Sequence, residues 1–382
     1  MKKFLNFIVA LLILISIPTV IFANVDDSEL DKNEYNEYLS NFDLSCFEKL
    51  DSDTYDVLES FGLTDFNYNN IVNFSFSDFI SYVLSVAKHN IETPLQSCLI
   101  IFVFIIFSSL IQSFKTTLNS DEMSSLFSTA SALIIAVVLA MKMKNTISLA
   151  CSTISICSNF IYAFIPVFCV IVATSGSAIT AFSTNAMLLS LAQVLNYISK
   201  NIFIPLSNCF LAIGICSGIR SELNLRSLLS VMKRYITSAI SVCAATFVSI
   251  LSIKTAVTSR ADAIGLRSIR FAINSVVPVI GGAISEGLLS IQTYSALIRS
   301  SVGIVGIIAV VFVFLPSILD VTIWRFVLSL TSVISDVFGD NSVALVIKAF
   351  CDAMLIMNVI LILSMVTTII SIGILVAAKG SA

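Results

Sequence analysis

Long apolar runs separated by short polar stretches dominate the chain from residue 94 onward. A bilayer core of roughly 30 Å requires about 20 apolar residues for one helical crossing, so these runs predict membrane spans. The spans are 95–114, 123–141, 146–173, 178–199, 201–219, 235–253, 300–319 and 353–378. Segments 271–298 and 321–347 are apolar but interrupted, and spanning, re-entrant and interfacial placements are all open for them. Because backbone polar groups in lipid must pair within the protein, the pattern predicts an all-α polytopic membrane protein, with its membrane domain over 94–382.

The N-terminus has a different pattern. Two lysines precede an apolar run over residues 4–17, and a small residue, Ala23, stands before the first polar stretch. This three-part layout is typical of a secretory signal peptide, here residues 1–23. Ile21 is bulky for the third position before the cut, so an uncleaved anchor is the alternative. Under both hypotheses the segment that follows is exported from the cytoplasm.

That segment, residues 24–93, is predicted to form a small, helical or partly disordered head. Its apolar residues recur at helical spacing. They are Tyr35, Tyr38, Leu39 and Phe42, and then Phe79, Ile80, Val83, Leu84 and Ala87 shortly before Pro94. Outside these stripes the head has little apolar surface to bury in a core of its own. We therefore expect it to dock on another surface.

Composition and charge exclude several classes of protein. Hydrophobic residues make up 57% of the chain, charged residues only 12%, and mean hydropathy is +0.99; an ordinary soluble domain is about a quarter charged. A water-soluble enzyme is excluded, and without a long Lys/Arg run we expect no nucleic-acid binding. Residues 24–80 hold fourteen of the 24 acidic residues but two of the 21 basic ones. The pattern indicates an acidic exported head on a mildly basic membrane domain.

Cysteine and histidine usage gives no sign of a metal or redox site. Only Cys46 lies in the head, and the other eight cysteines lie in apolar stretches, where cysteine behaves as a small hydrophobe. A single histidine, His89, leaves no Cys/His set for zinc. The chain also lacks the H-E-x-x-H, G-x-S-x-G and nucleotide-loop motifs. We expect no cofactor, no metal and no enzymatic activity.

Basic residues predict contacts with the membrane surface. They are Arg220, Arg226, Lys233, Arg234, Arg260, Arg267 and Arg270. Within 220–234 the leucines share one helical face and the charges the other, which favours an amphipathic connector on anionic lipid or a docking site for a partner. An exported head and five crossings place 220–234 in the cytoplasm, as the positive-inside rule requires. The same count places 254–270 outside, so both stretches cannot obey the rule if 235–253 crosses once.

The interrupted segment 271–298 contains the strongest candidate for a functional site. Pro278, Gly281 and Gly282 interrupt a helix there, and Glu286 places an ionisable group in apolar sequence. Intramembrane carboxylates usually face protein or water, and broken helices occur at transporter substrate sites. Glu286 therefore lines a pathway or, alternatively, pairs with a nearby arginine and fixes packing.

Two further patterns concern helix contacts. Gly214 and Gly218 form a G-x-x-x-G step, which favours close helix packing. Charged residues also punctuate the late apolar sequence at Asp320, Arg325, Asp336, Lys348 and Asp352. Lys348 and Asp352 stand four apart on one helical face, which predicts an ion pair, with a proton relay as the alternative.

Three stretches resemble a known family. They are R-A-D-A-I-G-L-R-S-I-R-F-A-I-N-S-V-V-P-V-I-G-G-A-I-S-E at 260–286, L-I-R-S-S-V-G-I-V-G at 297–306, and Gly339-Asp340 before the last apolar run. They resemble the stage III sporulation protein AE family of spore-forming Firmicutes. The resemblance covers nearly the whole chain and is most specific in 255–310.

The resemblance implies a membrane subunit of the complex of stage III sporulation A proteins. Through them the chain would meet stage II sporulation protein Q in a channel or secretion-like conduit between mother cell and forespore. It would lie in the mother-cell membrane around the forespore, with its head in the intermembrane space, and would support forespore development and late forespore gene expression. The family has no established catalytic residues to carry over. From the residues alone, an autonomous ion-coupled secondary transporter is the alternative, although no inverted repeat favours it.

Overall fold

The computed structural model describes residues 32–66, 70–71, 74–118, 121–219, 225–276, 281–338 and 341–377. Within these ranges, the side chains of 32–33, 111–125, 180, 192, 219, 226, 252, 255–290 and 341 lie outside the description. Every long element in these ranges is a helix, and no strand occurs among them. The predicted all-α fold is confirmed.

The head consists of short helices. They are α1 (Lys32–Leu39), a 3-10 turn (Ser45–Lys49), α2 (Ser52–Ser60) and α3 (Phe76–Asn90). The Ser75 hydroxyl caps α3 by accepting a hydrogen bond from the Asp78 backbone N–H, as expected at a helix N-terminus.

The membrane domain consists of longer helices. They are α4 (Glu92–Leu118), α5 (Asp121–Val172), α6 (Ala178–Ile198), α7 (Ile204–Ile219), α8 (Leu225–Val276), α9 (Gly281–Val337) and α10 (Asn341–Ala377). Two π-helical turns, Ala173–Ser177 and Ser199–Phe203, join α5 to α6 and α6 to α7.

Six helical stretches of the described residues are long and apolar enough to cross a membrane. They are Phe76–Leu110, Leu126–Ser177, Ala181–Gly218, Ser227–Leu251, Ile291–Val337 and Ser342–Ala377. The chain is therefore a multi-pass membrane protein. The longest has 52 residues, about 78 Å at 1.5 Å per residue. Because a bilayer core is only roughly 30 Å thick, such helices extend well beyond one crossing.

Two pairs of predicted spans are joined in the structure. The segments 123–141 and 146–173 form one helix, α5, because Lys142 and Lys144 do not break it. Lysine is costly in lipid but is a good helix former. The two lysines therefore separate two apolar runs in the sequence without ending the helix. A π-helical turn likewise continues 178–199 into 201–219. Residues 225–234 of the predicted amphipathic connector run without a break into 235–253 as part of α8.

Helices α9 and α10 pack along each other at the centre of the membrane domain. Of the most apolar stretch in Ile291–Val337, 78% is buried, compared with 22% in Ser227–Leu251. Gly303 and Gly306 of α9 allow this close packing. A Cβ at Gly303 would lie 2.2 Å from Val376 of α10, and one at Gly306 would lie 2.7 Å from the Phe164 ring of α5.

The chain reverses direction between α5 and α6. Gly176 lies inside the π-helical turn with φ of 91°, a backbone conformation that side-chain-bearing residues rarely adopt. Asn196 of α6 then donates a hydrogen bond of 3.0 Å to the Ser158 hydroxyl of α5. The two helices therefore form an antiparallel pair.

Candidate functional site

The head packs on the membrane domain through a first aromatic cluster around Phe47. The Phe47 ring lies edge-on to Phe160 and Phe164 of α5, with centroid distances of 5.4 and 5.5 Å. Phe66 of the head lies 4.9 Å from Phe47 on the same side. Aromatic pairs at these distances stabilise an interface beyond their buried area. The 3-10 turn of the head is thereby fixed to the C-terminal third of α5.

A second aromatic cluster fixes the head to α9 at Phe312. Phe61, Phe79 and Tyr82 of the head lie 5.3, 6.0 and 5.5 Å from the Phe312 ring. Phe312 is 1% exposed, although it stands in the most apolar run of the chain. The head thus covers apolar surface that hydropathy alone assigns to lipid.

Further contacts hold the two ends of the head. The Tyr35 hydroxyl donates to the Phe66 carbonyl at 2.9 Å, and Tyr38 stacks on Tyr294 of α9 at 5.4 Å. At the far end, the Asn90 amide donates to the Pro316 carbonyl at 3.5 Å. The head was expected to dock on another surface, and that surface is its own membrane domain.

The outer side of the head is acidic. The exposed carboxylates of its helices and turns are Glu37, Asp43, Glu48, Asp53, Asp56, Glu59, Asp65 and Asp78. Hydrogen bonds from the hydroxyl and the backbone N–H of Ser45 lower the pKa of Asp43. The rings of the two aromatic clusters pack toward the membrane domain while these carboxylates are exposed, and we call the charged outer surface that they form the acidic face.

Cys46 lies beneath this face. The thiol is free and only 3% exposed, and burial raises its pKa to about 11. A protonated, buried thiol is a poor nucleophile and a poor partner for disulfide exchange. All nine cysteines of the chain are free in the structure.

Arg299 is a cation buried in the membrane domain, and from the sequence it was notable only as part of the motif L-I-R-S-S-V-G-I-V-G. Its guanidinium is 7% exposed and donates a hydrogen bond of 2.9 Å to the Ser175 hydroxyl. Ser175 precedes Gly176 in the turn between α5 and α6, so Arg299 holds this turn against α9. A charge inside an apolar run is a signal of function that could have identified it.

The G-x-x-x-G step faces α10. A Cβ at Gly214 would lie 2.3 Å from the Ala349 Cβ, and one at Gly218 would lie 2.3 Å from Val346. The two glycines therefore let α7 approach α10 within the chain.

Asp352 forms an ion pair with a residue of another helix rather than with Lys348. The Lys233 ammonium of α8 lies 2.5 Å from the Asp352 carboxylate of α10. Lys348 is exposed one turn away, and Arg234 is exposed beside Lys233. The pair joins the predicted basic connector to α10.

Several predicted site residues lie outside the described part of the chain. Pro278 and Arg220 are among them, and so are the side chains of Arg226, Arg260, Arg267, Arg270 and Glu286. The backbone at Gly281, Gly282 and Glu286 belongs to the first turns of α9. The roles of Glu286 and of the surface arginines stay predictions. Among the described residues, no group of three or more His, Cys, Asp and Glu side chains could hold a metal ion.

The chain is similar to one protein family and to a named relative. The family model described as stage III sporulation protein AE matches residues 62–379. A relative from Bacillus subtilis (strain 168), named stage III sporulation protein AE, is 22% identical over 245 residues, which cover 63% of this chain and 60% of the relative. No solved structure matches the chain.

Proposed function

The chain belongs to the stage III sporulation protein AE family, and on this premise we propose that it is a membrane subunit of the complex of stage III sporulation A proteins. Its role lies in sporulation, as the family and the relative indicate. The proposed complex forms a channel or secretion-like conduit between mother cell and forespore, and supports forespore development and late forespore gene expression.

The acidic face is the observation that carries this proposal beyond the family. Eight exposed carboxylates lie on a head that is itself packed on α5 and α9. Such a surface suits recognition by a partner with complementary charge, which favours encounter and orientation. We place the head in the intermembrane space, where it meets the other stage III sporulation A proteins and, through them, stage II sporulation protein Q.

We propose a structural or conduit role for the subunit rather than catalysis. The residues that the structure brings together, Phe47 with Phe160 and Arg299 with Ser175, fix helices relative to one another. Any energy for transport would come from a partner or an ion gradient.

The alternative is an autonomous ion-coupled secondary transporter. It depends on Glu286 beside the Pro278, Gly281 and Gly282 break. Glu286→Gln separates the hypotheses: with a pathway role, assembly persists while forespore support is lost. Normal sporulation of this variant would leave Glu286 a packing residue.

The test of the complex uses charge reversal on the acidic face. Deleting the whole head would expose Phe160 and Phe312, so a deletion cannot separate docking from folding. Glu48→Lys, Asp56→Lys and Glu59→Lys leave both aromatic clusters intact. We expect the triple variant to reach the membrane at wild-type level but to lose co-purification with the other complex members in sporulating cells.

A matched control is Lys144→Glu, a charge reversal at an exposed residue of α5 outside the head. Its co-purification should equal that of the wild type. Undiminished recovery of partners with the triple variant would contradict the role of the acidic face.

A further inference from the structure

A cavity of about 510 Å³ lies between α3, α4, α5 and α9, and no ring of the two aromatic clusters lines it. Its lining includes His89 and Thr93 from the α3–α4 junction, Lys142 and Asn145 from α5, and Asp320 from α9. Cavities of roughly 300–1,000 Å³ are the usual size of small-molecule sites. Polar groups from separate helices therefore converge on a space large enough for a ligand.

The cavity contains both signs of charge. Lys142 and Asp320 both line it, and the Asp320 carboxylate is hydrogen-bonded to Thr146. A carboxylate within an apolar helix is costly and by default marks a functional site. A simple anion would be repelled by Asp320 and a simple cation by Lys142, so the lining suits a ligand that carries both charges.

On one side of the cavity the protein surface is apolar. The exposed side chains there are Leu95, Leu99, Val103, Phe107 and Leu110 of α4, Val137 and Met141 of α5, and Leu330, Val333 and Val337 of α9. Cys98 contacts Thr331 at 3.0 Å, and Ser109 donates to the Phe338 carbonyl at 3.4 Å, so α4 and α9 lie side by side there. We call these side chains the apolar belt. On α4 it spans fifteen residue steps from Leu95 to Leu110, roughly 23 Å.

On the other side lies the head with its acidic face. The Asn90–Pro316 and Thr153–Ser317 contacts mark the level at which the head begins. Because a cluster of exposed carboxylates is not stable in hydrocarbon, on this side of the molecule the acyl chains cover the apolar belt and not the head. The cavity lies between these two regions, at the level of the lipid headgroups.

We propose that this cavity binds the headgroup of a phosphatidylethanolamine-type phospholipid. The ammonium of the lipid pairs with Asp320, and its phosphate pairs with Lys142. The acyl chains lie along Leu99, Val137 and Met141 of the apolar belt. An anionic lipid such as phosphatidylglycerol satisfies Lys142 but leaves Asp320 without a cation, so the site selects the zwitterionic headgroup.

The experiment uses the purified full chain in mixed micelles with equimolar phosphatidylethanolamine and phosphatidylglycerol. Bound lipid is counted by native mass spectrometry. We expect retained phosphatidylethanolamine to exceed phosphatidylglycerol by about tenfold, the effect of one hydrogen bond to a charged group. Retention of both lipids in the supplied ratio would overturn the proposal.

Two variants and a control test the roles of Asp320 and Lys142 in lipid binding. Asp320→Asn should abolish the preference for phosphatidylethanolamine, whereas Lys142→Gln should weaken retention of both lipids. Lys144→Gln changes an exposed lysine outside the cavity lining and should leave retention unchanged. If Asp320→Asn fails to fold, Lys142→Glu at an exposed position decides instead: unaltered retention of both lipids would contradict the site.

A soluble competitor separates a lipid from a free metabolite. Phosphoethanolamine without acyl chains should displace the lipid only at concentrations far above that of the lipid, because it lacks the contacts with the apolar belt. Equal affinity for the soluble and the acylated forms would contradict a lipid site.

Discussion

Phe47 of the head lies edge-on to Phe160 of α5, with 5.4 Å between the ring centroids. Both side chains are almost fully buried. The acidic head and the membrane domain are therefore parts of one folded unit, and the acidic face is held in a fixed position relative to the helices.

Removing the Phe47 ring should loosen the head. Phe47→Ala leaves a cavity between the 3-10 turn and α5, with an expected loss of about 3–5 kcal/mol. Limited proteolysis of membrane vesicles with the head accessible should cut the variant within the head much faster than the wild type. Phe76→Ala removes a ring that is 43% exposed and serves as the control. Equal protease resistance of Phe47→Ala and wild type would show that the cluster does not hold the head.

The Cys46 thiol should resist alkylation in the folded protein. Burial raises its pKa from 9.0 to about 11, so its thiolate fraction at pH 8 is about 100-fold lower than that of an ordinary thiol. In a background without other cysteines, maleimide labelling of Cys46 should be slow until detergent denaturation. An added thiol at exposed Ser60, Ser60→Cys, should react rapidly. Comparable rates at both positions would contradict the burial.

The same shift predicts a pH dependence of stability. A thiol whose pKa is raised by folding adds stability at pH values below about 9, the unfolded value. That contribution is lost as pH rises through 11, because the unfolded state ionises first. Cys46→Ala should flatten the fall in melting temperature between pH 9 and 11. If the melting temperature of Cys46→Ala falls as steeply between pH 9 and 11 as that of the wild type, Cys46 does not cause the fall.

Gly214→Ala should destabilise the packing of α7 on α10. The new Cβ would lie 2.3 Å from Ala349, and overpacking of this kind costs about 1–3 kcal/mol. Gly373→Ala is the matched control, because a Cβ there meets nothing within 4 Å. Thermal unfolding in detergent should show a loss only for Gly214→Ala, with partial rescue by Ala349→Gly. A rescue that fails would mean that α7 lies elsewhere.

The Lys233–Asp352 pair should show energetic coupling. Lys233→Met and Asp352→Asn each leave one charge unpaired, so the double variant should lose less than the two single losses combined. Because both side chains are about a quarter to a third exposed, we expect a coupling near 1 kcal/mol. Lys348→Met with Asp352→Asn gives the comparison cycle for the pair predicted from sequence. Stronger coupling in that cycle would reverse the assignment.

Hydropathy predicted the helical fold because each apolar run is long enough for a membrane helix, whatever surrounds it. Hydropathy does not show whether lipid or another part of the protein covers an apolar run. Phe312 has the same apolar context in the sequence whether lipid or the head surrounds it, and only the structure shows Phe61 and Tyr82 upon it.

A charged residue in an apolar run could be recognised from the sequence, but its interaction partner could not. Lys348 was predicted to pair with Asp352 because they are four apart, yet Lys233, 119 positions away, forms the pair. Arg299 and Ser175 are 124 positions apart, and no local spacing predicts their contact. Helix-to-helix distances of this kind depend on the packing of α5, α8, α9 and α10 together.

The central structural claim is that the acidic head is fixed to its own membrane domain, and a cross-link tests it most directly. Tyr38 and Tyr294 stack at 5.4 Å between ring centroids. In a cysteine-free background, a short bis-maleimide should join Tyr38→Cys to Tyr294→Cys within one chain in native membranes, because two stacked rings keep their backbones near each other, while Ser60→Cys with Tyr294→Cys should not be joined. A cross-link that forms only between chains, or not at all, would contradict the account.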